Sequence, residues 1–141
     1  MATILDVADA VVSELNAGSF GLPFTAERRY APRFDMQDME TLRVTVVPKG
    51  LEIAAASRGE HQHDYQVDVA VQQRFSEGTP TELDPLMSLV EEIADFFRGR
   101  RLESVPAACV RIENGPVYAQ EHMKEMRQFT SILTFTWRMW R

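Results

Sequence analysis

The stretch Phe129-Thr130-Ser131-Ile132-Leu133-Thr134-Phe135-Thr136-Trp137-Arg138-Met139-Trp140 repeats with a period of two. Phe129, Leu133, Phe135, Trp137 and Met139 fall on one side, and Thr130, Thr134, Thr136 and Arg138 on the other. Successive side chains of a strand point to opposite faces, so this is a strand with one apolar and one wet face. Strands of that kind belong to antiparallel sheets that are covered on one side.

The same period recurs upstream. In Thr41–Val47, Leu42, Val44 and Val46 oppose Thr41, Arg43 and Thr45. Pro48-Lys49-Gly50 reads as a turn, and Leu51–Ser57 as a further strand with Leu51, Ile53 and Ala55 on one face. The polar segment from Arg58 to Asp64 reads as a loop. After it, Tyr65, Val67, Val69, Val71 and Phe75 alternate with Gln66, Asp68, Gln72 and Arg74. Ala107–Glu113 is another strand, closed by Asn114-Gly115-Pro116. Residues 24–34 form a weaker strand that Pro32 confines to a sheet edge or a strand end. Asp35-Met36-Gln37-Asp38-Met39 has loop character.

Two segments carry the helical period instead. Ile4, Val7, Ala8, Val11, Val12 and Leu15 form one stripe over residues 3–16, with Thr3 and Asp6 as a capping box and Gly18 at the C-terminal end. Leu86, Leu89, Val90, Ile93, Phe96 and Phe97 form a second stripe. Asp84 reads as its N-cap, Pro85 as its first helical residue and Gly99 as its end. Residues 117–127 are ambiguous, with Val117–Gln120 extended and His122–Arg127 a helical turn. The whole predicts one α+β domain over residues 1–141: a mainly antiparallel sheet with two helices packed on one face, in the order α-β-β-β-β-α-β-β.

Composition narrows the functions. The 141 residues are 45% hydrophobic and 26% charged, with a formal net charge of −6. An acidic protein binds a nucleic-acid backbone only through clustered basic residues. Here Arg28-Arg29, Arg98 with Arg100-Arg101, and Arg138 with Arg141 are short groups flanked by acids or apolar residues. Duplex binding and membrane-surface binding are disfavoured. The single cysteine, Cys109, allows no internal disulfide, and the N-terminus predicts neither a signal peptide nor a membrane span.

Catalytic patterns are not found. No phosphate-binding loop and no nucleophile elbow occurs. Cys109 lies within a predicted strand and reads as a small core residue. Glu91-Glu92 are adjacent on a helix, point about 100° apart, and form no dyad. His61-Gln62-His63-Asp64 is the one constellation with ligand chemistry. Histidines at i and i+2 share a strand face, but a zinc site needs a third or fourth protein ligand, and nothing in the sequence brings His122 near. A solvated loop of mixed charge accounts for the same residues. No cofactor, metal site or catalytic residue is assigned.

The candidates that remain are interface residues. Met36 and Met39 are methionines in a loop, suited to irregular contact surfaces. Arg58, His61, His63 and Asp64 sit in the polar segment. Trp140 and Ile132 fall on the wet side of the last strand, where a large apolar side chain calls for a covering partner or loop.

At this point the chain resembles a known group. The segment Glu125-Met126-Arg127-Gln128-Phe129-Thr130-Ser131-Ile132-Leu133-Thr134-Phe135-Thr136-Trp137 is similar to the closing strand of small tail-completion proteins of long-tailed bacteriophages. Leu42–Pro48 and Asp64–Val71 resemble their central strands, and Leu89–Phe97 their sheet-packing helix. The resemblance implies a tail terminator or head–tail joining protein, made in the bacterial cytoplasm and carried in the virion tail. It implies a homo-oligomeric ring, commonly hexameric, that meets tail-tube and connector proteins and surrounds a channel for DNA without reading its sequence. A small non-catalytic adaptor domain is the alternative, and a metal-dependent hydrolase using His61, His63 and Asp64 a more distant one.

Overall fold

The computed structural model describes residues 3–31, 40–115, 117–125 and 127–141 (backbone only at 122 and 125). Helix α1 spans Ile4–Ala17. Thr3 accepts a bond from the Asp6 N–H while the Asp6 carboxylate accepts one from the Thr3 N–H, the capping box read from the sequence. Its C-terminal Gly18 has ordinary negative φ. Glycine is favoured there by crowding, since a Cβ would stand 2.8 Å from the Phe20 ring and 3.2 Å from that of Phe96, so that a side chain would force the Phe20 ring to shift.

Three strands follow: β1 (Ala26–Arg28), β2 (Arg43–Ser57) and β3 (Glu60–Arg74). Then come α2 (Pro80–Phe97), β4 (Ala108–Glu113), the short helix α3 (Gln120–Glu125) and β5 (Gln128–Trp140). The sheet order is β1-β2-β3-β5-β4, with β1 parallel to β2 and every other pair antiparallel. The fold is α+β, as the two periods predict. Met36 and Met39 lie outside the described residues.

Four local readings change. Pro48-Lys49-Gly50 does not turn the chain: β2 runs through it, and a register shift between Pro48 and Gly50 absorbs the irregularity. The segment ending at Asp64 is not a loop, because only Arg58-Gly59 turns, and His61, His63 and Asp64 stand in β3. Four predicted strands between the helices are therefore three. The second helix starts earlier, with Thr79 as N-cap and Pro80 in the first turn, leaving Pro85 inside.

That early start is supported by Glu82. Its carboxylate accepts bonds from the Ser76 and Glu77 N–H groups, each at 2.9 Å. Those bonds hold the acid below its ordinary value of 4.5. A depressed carboxylate stabilises the fold above the unfolded value, and that contribution is lost as pH falls through the folded value. Glu82→Gln is therefore expected to lower Tm at pH 7, with the difference from the parent closing as melts are taken below about pH 4.

Both long helices lie on the same sheet face. α1 contacts β1, β2 and β3, and α2 contacts β5. One core cluster joins Val7, Val11 and Leu15 of α1 to Leu89, Ile93 and Phe97 of α2, over Val44, Val69, Leu133 and Trp137 of the sheet. At the edge of this core Glu14, 7% exposed, is bonded to the Arg100 guanidinium and the Glu103 N–H.

Candidate interaction surface

The β2–β3 hairpin is longer than the core beneath it. Its inner half is buried, with Val44, Val46, Val67, Val69 and Val71 under the helices. Its outer half, residues 51–61, is exposed throughout. β1 reaches only Val44–Val46 of β2, and β5 ends opposite Gln62, after which one pair of backbone bonds joins His61 to Arg141. Residues 56–60 therefore project as a two-stranded arm. Gly59 closes its tip at a φ of +89°, a conformation that favours glycine.

The sheet at the base of the arm is not polar enough to face solvent alone. Leu51 and Ile53 are each 52% exposed on the helix-side face, and Trp140 is 54% exposed on the other. An isolated two-stranded ribbon is marginal in water, and the edge of a strand presents unpaired N–H and C=O groups.

Most of the candidate residues gather here. Arg58 is at the tip and His61 is exposed beside it. His63 is 8% exposed, stacked on Tyr65 with ring centroids 6.1 Å apart, and its buried Nδ1 has no hydrogen-bond partner among the described residues. Asp64 lies on the opposite face and takes two bonds from Arg138, at 2.9 and 3.1 Å, which raise the arginine pKa. The shared face that a metal site would need thus excludes Asp64. Among the described residues no group of three His, Cys, Asp or Glu side chains could hold a metal ion, and the His122 side chain lies outside them.

Trp140 and Ile132, paired in the sequence reading, separate. Trp140 stays uncovered beside the arm. Ile132 borders a groove that Gly115 and Ala119 of the same chain help to line, so a loop covers it in part. That loop is held by Asn114, which donates to the Ile132 carbonyl at 2.8 Å, and by the Ala119 N–H bonding the Thr130 carbonyl at 2.8 Å.

Across the open sheet face, charge is arranged by strand. Glu52 of β2 and Asp64 of β3 stand on one side of a groove, and Arg138 of β5 and Arg111 of β4 on the other. Further along, Thr134 donates to Asp68 at 2.6 Å, with Lys49 3.9 Å away. The sequence reading did not mark Leu51, Ile53, Glu52 or the β4 edge. Its available signal was the run Ala54-Ala55-Ala56, too small to fill a core.

Cys109 is 8% exposed, and burial pushes its thiol up to about 11. Roughly one thiol in a thousand is then ionised at pH 8, and the thiolate is the reactive form. Native protein is expected to resist thiol-specific labelling at pH 8 and to label promptly in denaturant; fast native labelling would contradict this burial.

Among the described residues no helix is long and apolar enough to cross a membrane. No protein-family description matches the chain, and no curated protein matches it. Among solved structures, a chain from the virion of a native gene transfer agent particle is similar, at 13% identity over 67% of this chain and 67% of that one, with a TM-score of 0.38.

Proposed function

We propose that this chain is a non-catalytic structural protein of a phage or prophage tail, one copy of a homo-oligomeric ring of the tail-terminator or head–tail-joining kind. The observation that carries this reading is the outer half of the hairpin, where Leu51, Ile53 and Trp140 are half exposed beside a stretch of β2 edge that, among the described residues, no strand pairs with. A surface of that kind suits assembly rather than turnover. The side chains with chemical potential are engaged elsewhere: Asp64 with Arg138, Glu14 with Arg100, and Cys109 in the core. The strand texture that resembles tail-completion proteins supplies the particular role, and the neighbours would be tail-tube and connector proteins.

Light scattering across a concentration series tests the reading. A ring gives a mass near six protomers, and electron micrographs show it capping tail tubes. A chain that stays monomeric at millimolar concentration and never caps a tube overturns it.

A further inference from the structure

We infer that copies of this chain join by sheet extension, the outer edge of β2 in one copy pairing with the outer edge of β4 in the next. The inference rests on the homo-oligomeric reading above and names the surfaces it would use.

The two edges lie at opposite ends of the sheet and run in opposite directions. With order β1-β2-β3-β5-β4 and antiparallel pairing from β2 to β4, a second copy placed alongside presents its β4 antiparallel to β2. Among the described residues no strand flanks β2 beyond Val47. On β4, Arg100 and Arg101 cover Ala108 and Cys109, through the Cys109 N–H bond to the Arg100 carbonyl and the bridge from Arg101 to Ala108. Among the described residues Val110–Glu113 are left as open edge, with Val110 46% exposed.

Charge and apolar surface select the same register. Setting Arg111 against Glu52 in antiparallel pairing sets Ile112 against Leu51, while Val110, the extra residue of the bulge between Cys109 and Arg111, stands next to the Arg111–Glu52 pair. It also brings Glu113 opposite Gly50, next to Lys49. Leu51 then meets an apolar residue, and each charge meets its opposite. Pairing two β2 edges about a two-fold axis does worse. The register that sets Leu51 against Ile53 is the one that sets Glu52 against Glu52, and like charges directly opposite are destabilising. The contact is therefore head-to-tail, the type that makes a ring where the rotation between copies closes and an open filament where it does not.

Charge exchange in trans tests this. Glu52 is exposed on its edge, and Arg111 is 69% exposed in its side chain and paired within the chain to the exposed Glu113, a surface pair whose loss costs the fold little, so the fold tolerates either reversal. Glu52→Arg and Arg111→Glu, each alone, are expected to weaken self-association on the order of tenfold or more. A one-to-one mixture of the two variants restores it, because every interface in an alternating ring then joins opposite charges. Leu51→Asp with Ile53→Asp is expected to leave a folded monomer with near-parental Tm. If wild-type protein assembles and the single variants assemble equally well, the β2–β4 contact is overturned while the ring reading stands. If wild-type protein stays monomeric, both fall.

Discussion

Phe97→Ala is expected to cost about 3–5 kcal/mol. Phe97 is fully buried at the end of α2. Its ring meets Phe96 at 4.9 Å, Phe135 at 5.1 Å and Trp137 at 5.5 Å, each edge-to-face. That geometry sets the positive edge of one ring against the negative face of another, adding to burial. Truncation removes the aromatic contacts that tie α2 to β5 and leaves a void lined by rigid rings, which collapse poorly. For a domain of ordinary stability this is a large share of the total, and Tm should fall by on the order of 10 °C. Phe96→Ala is the control: that ring is only partly buried, and its loss should be clearly smaller. A calorimetric cost below about 1 kcal/mol for Phe97→Ala would mean that α2 is not anchored through this ring.

Phe97 was legible before any coordinates. It ends an apolar stripe at helical spacing, and Phe135 and Trp137 lie on the apolar side of a strict two-residue alternation. Both periods report burial directly, so the helices, the last strand and the face that joins them follow from the sequence. The hairpin was not legible in the same way. Pro48 and Gly50 are turn residues by composition, yet a sheet edge accepts proline and a bulge accepts the extra residue, so tertiary pairing carried β2 through them. His61-Gln62-His63-Asp64 looks like a loop because the run from Arg58 to Asp64 is polar throughout and holds a glycine, although only Arg58-Gly59 turns.

The same limit applies to the interaction surface. Which edge is open depends on where β1 stops and where β5 ends, and both are set by long-range register. Glu52 and Arg111 are 59 positions apart, and only the strand order shows that they mark opposite edges of one sheet. The separation of Asp64 from His61 and His63 was legible, since adjacent strand residues alternate faces, but only once that segment is known to be a strand.

Gln72→Met is expected to raise stability by about 1–2 kcal/mol, a sign opposite to that of most core substitutions. Gln72 is fully buried in β3 on the face away from the long helices, between Arg43 of β2 and Thr130 of β5. Among the described residues neither its Nε2 nor its Oε1 has a hydrogen-bond partner. Nearby Gln128 differs, donating to the Thr130 hydroxyl at 3.1 Å. A buried amide that makes no bond has given up water for nothing, and the penalty belongs to the folded state alone. Methionine keeps the unbranched shape and nearly the volume, so the packing around it is retained while the polar cost goes. Gln72→Ala separates the two effects, since it removes the amide but opens a void, and should fall below Gln72→Met. Chemical denaturation of the three proteins at one pH gives the comparison. Should Gln72→Met prove less stable than the parent with an unchanged m-value, the amide must be making bonds in solution, and this end of the outer face would be a satisfied polar network instead of a strained one.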